Sequence, residues 1–185
     1  PVLTDLIISN PQKRQKLISA LQTALIKSNS DGINVDFENI DIKNKQHYVS
    51  FIREIKTALK PHGIIVSVDV TRTSADPFWS GSLDRKELGK LADYVIMMGY
   101  DEHWGGGPKA GSVASLPWVE EGIKLLMKDV PSHKIILAVP FYTREWVTDL
   151  SSNKLRSIDR SMSEVNRIIS SKGLKKVWDP KASQY

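Results

Sequence analysis

The sequence predicts an α/β fold, and more narrowly part of a (β/α)8 TIM barrel. Three observations lead there. Apolar, β-branched runs alternate with amphipathic segments of helical period. The apolar runs are near-continuous, as in strands buried on both faces. Three of the four runs also end in chemistry: Asp36 and Glu38, then Tyr100 and Asp101, then Tyr142. A doubly wound sheet meets the first two conditions equally well. Functional groups at the C-terminal ends of several strands are the barrel arrangement. A full barrel typically takes about 250 residues, and 185 residues with four clear strands suit part of one.

In chain order, residues 11–28 carry Leu17, Leu21, Leu25 and Ile26 at helical spacing, with Pro11 suited to a first turn. A strand over 33–37 follows. A second amphipathic helix over 44–59 places Val49, Ile52, Ile55 and Leu59 on one face and stops at Pro61 and Gly63. The β-branched run 64–70 is the second strand. A short helix over 84–91 leads to a third strand, 94–100. The glycine-rich loop 105–111 precedes a helix over 116–128, and a fourth strand covers 134–141. Beyond Tyr142 the chain is more polar, with one helix expected near 163–170 and a weak strand or loop at 176–178.

Hydrophobic and charged fractions of 41% and 25% are those of an ordinary globular protein with a sizeable core. No apolar run approaches the roughly 20 residues that span a bilayer, so membrane insertion is not expected. The chain opens at Pro1 without a signal-like segment, which reads as a piece of a longer protein. Absence of cysteine excludes disulfides, thiolate metal sites and a cysteine nucleophile. The net charge of +5 is spread along helix faces, so a nucleic-acid partner is not expected. Four scattered histidines lack metal-ligand spacing, and neither metal nor cofactor is expected.

The stretch from Asp31 to Glu38 reads Asp-Gly-Ile-Asn-Val-Asp-Phe-Glu. Strand alternation puts Asn34, Asp36 and Glu38 on one face and Ile33, Val35 and Phe37 on the other. Adjacent carboxylates repel, so one of them should hold its proton to a higher pH than usual. That suits acid catalysis at a glycosidic bond.

Three motifs now make a resemblance specific. Asp31, Asn34, Asp36 and Glu38 fit the pattern DxxDxDxE except at Asn34. Met98-Gly99-Tyr100-Asp101 looks like MxYD, and Ala138-Val139-Pro140-Phe141-Tyr142-Thr143-Arg144 is similar to a PFYGR-like strand end. In this order they resemble glycoside hydrolase family 18, over nearly the whole chain. The resemblance implies strands four to seven of the barrel over 1–145 and the start of a small insertion domain over 146–185. The wording around Asp36 and the run from Gly111 to Trp118 look most like the bacterial spore-cortex branch. Its members resemble N-acetylglucosaminidases that cut peptidoglycan, secreted to the cell wall or spore envelope.

The resemblance further implies a retaining, substrate-assisted hydrolase acting on peptidoglycan or chitin. Glu38 is then the acid, Asp36 orients the substrate's acetamido group, and Tyr100 adds a hydrogen bond. Asp31, Asn34, Asp101 and Tyr142 support or line the sugar site. Asn34 departs from the family's middle aspartate; it removes one charge from the row and can only hydrogen-bond to Asp36 through a neutral amide. A catalytically silent glycan-binding protein of the same fold is the alternative, and the presence of Glu38 favours the enzyme. Trp79 and Trp104 are candidate sugar-stacking residues, with ordinary packing as the other reading. An isolated set of four strands has open edges, so self-association is expected of these residues alone.

Overall fold

The computed structural model describes residues 2–185, which cluster into two compact units. The first comprises the chain up to Met98 together with Ile123–Leu137; the second comprises Gly99–Gly122 and Ala138–Tyr185.

The first unit is built on a sheet of strands β1 (Gly32–Val35), β2 (Ile65–Thr71), β3 (Tyr94–Met98) and β4 (Ile135–Ala138), in that spatial order. β1 pairs parallel with β2, and β2 with β3. Helices α1 (Val2–Ile8), α2 (Pro11–Lys27), α3 (Lys45–Leu59) and α4 (Arg85–Leu91) belong to this unit. The βαβ order anticipated from the hydrophobic pattern is thus present, and it is the partial-barrel arrangement. Helix α1 had no counterpart in the sequence reading: seven residues are too few for a helical period to stand out.

Local chemistry explains where elements start and stop. Asn10 caps α2, its side chain accepting from Lys13 N at 3.0 Å, with Pro11 at the first helical position. Asp84 does the same for α4 through Glu87 N at 3.2 Å. After α3 the chain passes through a 3-10 turn to Gly63, whose φ of 69° suits glycine. Helix α3 buries Tyr48, Val49, Ile52, Ile55 and Leu59 along one stripe, plus Phe51. On β2, Val66, Val68 and Val70 are wholly buried, whereas Ser67, Asp69 and Thr71 occupy the opposite face.

Two polar clusters fasten these layers. Arg14 is buried, forks onto Glu54 of α3 at 2.8–3.2 Å, and donates to Ile8 O at 2.7 Å, tying α1, α2 and α3 together. Lys56 donates to Asp93 at 2.5–2.6 Å, and Asp93 in turn accepts from Val66 N at 2.7 Å. Burial works to raise the Asp93 carboxyl. The bonds from Lys56 and Val66, with the charges of Lys56 and Lys134, outweigh that and hold it below the ordinary range. A carboxyl depressed in the folded state adds stability above its unfolded pKa and loses it as pH falls through the folded value. Asp93→Asn should therefore cost about 1–2 kcal/mol at pH 7. The gap to the parent protein should close below about pH 4. Thermal melts across pH check this; a deficit that persists unchanged at low pH counts against the ionic origin.

The second unit contains helix α5 (Leu116–Leu126) in part, strands β5 (Tyr142–Asp149) and β6 (Lys154–Ser161), and helix α6 (Met162–Ser171). β5 and β6 form an antiparallel hairpin that the sequence reading did not include. The expected boundary between 145 and 146 falls inside β5. The hairpin mixes polar and apolar residues on both faces, so it offers no clean apolar alternation to read. Cross-strand ion pairs hold it instead: Arg144 to Asp159 at 3.0 Å and Arg160 to Glu145 at 2.8 Å. Its turn is set by Asp149, which accepts from Ser151 N and Ser152 N, and by Asn153 at φ 50°. Helix α6 begins with a capping box between Ser161 and Glu164. Among the described residues no helix is long and apolar enough to cross a membrane.

Candidate active site

In the first unit, β1 ends at Val35, two residues before the expected end, so Asp36 and Glu38 lie in irregular chain just beyond it. Phe37, between them, points the other way. Its ring stacks on Phe51 at 5.4 Å and 16° and lies 6.1 Å from Tyr48. This anchor fixes the segment from the core side, leaving both carboxylates exposed. Asn39 follows with φ 54°, a left-handed residue that turns the chain away directly after Glu38.

Glu38 lines a small cleft together with Phe37, Asp69, Thr71, Trp79 and Met98. Thr71 and Met98 are the last residues of β2 and β3, so the cleft opens at the C-terminal ends of three parallel strands. Trp79 sits in a π-helical turn, Pro77–Gly81, started by Asp76, whose side chain accepts from Phe78 N and Trp79 N. The turn is tied to β2 where Thr71 Oγ1 donates to Trp79 O at 3.1 Å. Arg85 tightens the same knot: it is buried and donates to Thr71 O, Ser80 O and Ser80 Oγ at 2.7–3.2 Å. Burial lowers its guanidinium to about 10, so it stays charged at neutral pH.

Asp69 belongs to this cleft and was not among the residues anticipated. Asn34 Nδ2 donates to Asp69 Oδ2 at 2.9 Å, and Asn34 Oδ1 accepts from Ser67 Oγ at 2.8 Å. Burial raises the Asp69 carboxyl, against the Asn34 bond, and the charge of Asp36 raises it further. A carboxyl on the neighbouring strand, outside the row from Asp31 to Glu38, is thus held above its ordinary range. A signal was available: Asp69 is the one charged residue in a strand otherwise made of β-branched residues and a serine.

Asp31 is not brought to the cleft. It precedes β1 at its N-terminal end, with its carbonyl accepting from Ile65 N at 2.9 Å. At about 3.3 Å per residue, it lies some 16 Å of chain from Asp36. Its position suits the entry to the strand, where a Cβ on Gly32 would meet Ile65 O at 3.0 Å, tighter than an ordinary contact.

In the second unit, Tyr100, Asp101 and Tyr142 come together. Tyr142 packs edge-on against Tyr100, with ring centroids 6.4 Å apart, and its hydroxyl donates to Asp101 Oδ1. The same oxygen accepts from Arg144 Nη1 at 2.8 Å. Arg144 also donates to His103 O at 2.7 Å and lies 5.4 Å over the Tyr142 ring. Its Nε is 3.0 Å from Asp159 Oδ1, an ion pair without hydrogen-bond alignment. Burial opposes the Arg144 charge, but the bond and charge of Asp101 prevail and hold its pKa above the ordinary value. Burial and the bond to Asp101 push the Tyr142 hydroxyl well up, so it remains a neutral donor. Asp101 has φ 65°, a strained region for a non-glycine residue, held by this network.

Arg144 was read only as part of a motif; its role as the hub is a tertiary fact. Trp104 lies in the following loop, half exposed, with its carbonyl accepting from Gly107 N at 2.9 Å. His103 Nδ1 donates to Ser112 O at 2.9 Å. A Cβ at Gly111 would meet the His103 ring at 2.5 Å, so a side chain there requires that ring to move.

Comparison with known proteins adds to this geometry. The family described as glycosyl hydrolases family 18 matches residues 5–185. The chain is 34% identical over 160 residues to the uncharacterized glycosylase YvbX of Bacillus subtilis (strain 168), covering 83% of this chain and 46% of that protein. It is 28% identical over 148 residues to the cortical fragment-lytic enzyme of Bacillus anthracis, covering 78% and 34%. The crystal structure of the Bacillus cereus spore cortex-lytic enzyme SleL superposes with a TM-score of 0.88 at 22% identity, over 98% of this chain and 42% of that one. The chain therefore spans less than half the length of these relatives.

Proposed function

Because the chain belongs to the glycosyl hydrolases family 18, we propose that it carries the acid–base half of a retaining β-N-acetylglucosaminidase site acting on bacterial cell-wall glycan. The observation that supports this most is the cleft at the strand ends, where Glu38 faces an indole and a second carboxyl in one recess. Carboxylates beside an aromatic wall are what protonation of a glycosidic oxygen and stacking of a sugar ring require.

In this reading Glu38 donates its proton to the leaving oxygen as the bond to the anomeric carbon breaks. The substrate's own acetamido oxygen attacks that carbon and closes an oxazolinium ring. Asp36 orients the acetamido group and balances the positive charge that develops on it. Water then opens the ring and Glu38 takes back a proton, so configuration is retained. Trp79 offers a stacking face within the same unit. The resemblance to cortex-lytic relatives favours peptidoglycan over chitin and action at the cell wall or spore envelope. Residues from about 146 onward are the start of an inserted domain in this reading, and the open edges β1 and β4 allow these residues alone to self-associate.

The test is product analysis by mass spectrometry after the full-length protein meets purified peptidoglycan and chitin oligomers. Fragments from peptidoglycan ending in reducing N-acetylglucosamine are expected. Reducing N-acetylmuramic acid ends, or release from chitin alone, would replace the substrate assignment.

A further inference from the structure

Asp69 has no task in the scheme above, yet its setting is unusual for a strand carboxylate. The register of β1 with β2 runs Gly32 to Ile65, Ile33 to Val66, Asn34 to Ser67 and Val35 to Val68. The ladder ends there, and Asp36 is the residue that follows Val35 just as Asp69 follows Val68, close enough for the charge of Asp36 to act on Asp69. Asp69 lines the cleft together with Glu38, and Asp36 leaves the end of the adjacent strand one residue before Phe37, which also lines it. Asn34 fixes Asp69. Its amide is used at both ends, accepting from Ser67 and donating to Asp69 Oδ2, so it clamps the Asp69 carboxyl in one orientation. The other oxygen, Oδ1, is buried and has no hydrogen-bond partner among the described residues. A buried carboxylate oxygen in that position is costly as an anion and cheap as a hydroxyl.

We propose that Asp69 is a positioning residue for Asp36: the two carboxyls share a single proton across adjacent strands, and Asn34 is the clamp that holds Asp69 for it. The proposal rests on the reading of Asp36 as the group that orients the substrate's acetamide. One proton distributed over two neighbouring carboxyls gives the pair one negative charge instead of two. When positive charge develops on the acetamide, the proton settles on Asp69 Oδ1 and Asp36 bears the full charge facing the ring. The effects of burial and of Asp36 on Asp69 run in the direction this needs. A carboxylate at position 34 would have added a third charge to the row. The amide found there instead stabilises a pair that lies across the strands. Tyr48, whose buried hydroxyl is raised by burial and then by the charges of Asp69 and Asp36, remains neutral and adds no charge.

The experiment has two arms on the full-length protein. In a carbon-detected carboxyl titration, Asp69 should titrate above the ordinary aspartate value of about 3.9, and Asp36→Asn should lower its midpoint. A midpoint at or below the ordinary value, or one indifferent to Asp36→Asn, overturns the pair. In the kinetic arm, Asp69→Asn should lower kcat by on the order of 10²-fold with little change in KM, and shift the acid limb of the kcat profile. The double variant Asn34→Asp with Asp69→Asn, which returns a carboxyl to the row, should recover at least part of the loss. Unchanged kcat and profile in Asp69→Asn overturn the proposal alone. Persistent turnover in Glu38→Gln overturns the functional reading, whereas the titration decides the Asp36–Asp69 pair without any turnover.

Discussion

Glu38→Gln in the full-length protein is expected to lower glycan hydrolysis by about 10²–10⁴-fold, the usual share of a general acid–base group, while glycan affinity is retained. The substitution keeps shape and hydrogen-bonding capacity but leaves no acidic proton to give to the leaving oxygen. It should not disturb the fold. Glu38 lies outside β1 and is exposed, and the stacking of Phe37 on Phe51 holds the same segment against the core. Rates of reducing-end release, read beside calorimetric binding of a glycan oligomer, separate chemistry from affinity. Turnover within about threefold of the parent protein would remove Glu38 from the acid's role. Binding without hydrolysis in the parent protein would instead point to the silent glycan-binding alternative.

The second large effect is structural and reaches the same residues from behind. Phe51 is wholly buried, and its ring is the face against which Phe37 stacks. Phe51→Ala should cost about 3–5 kcal/mol, the range for truncating a buried aromatic. At about 2–4 °C per kcal/mol for a chain of this size, the melting temperature should fall by roughly 10 °C. Phe51→Leu, which retains most of the volume, should fall between the two. Phe37 stands between Asp36 and Glu38, so loosening it should also reduce turnover measured well below the melting point, with Phe51→Leu again intermediate. Circular-dichroism melts give the first quantity. A loss below about 1 kcal/mol in Phe51→Ala would mean that something else anchors the segment.

The α/β order and the site differed in how legible they were, for physical reasons. Helices α2 and α3 were readable because burial imposes a 3.6-residue period on their apolar side chains, and Asn10, Pro11 and Gly63 mark their ends chemically. The β5–β6 hairpin was not, because polar and apolar residues mix on each of its faces and leave no clean period, and its ion pairs form only once the strands are paired. Strand β1 ends two residues before its alternation does. Alternation continues through Asp36 and Phe37, but nothing local records that the ladder to β2 ends at Val35 and Val68.

By itself the sequence determined the chemistry at hand: which carboxylates, tyrosines and indoles follow the strands, and that Asn34 breaks the acidic row. Those are covalent facts, and strand periodicity orders them along one segment. Only the tertiary structure decided which groups act on one another. Strand register brought Asp69 within reach of Asn34 and gave that amide its partner. Cross-strand pairing made Arg144 the hub between Asp101 and Asp159. It also left Asp31 at the far end of β1, away from the cleft. The reason is range. Propensity and period act over a few residues, whereas burial and charge depend on neighbours dozens of positions away, brought close only once the sheet has formed.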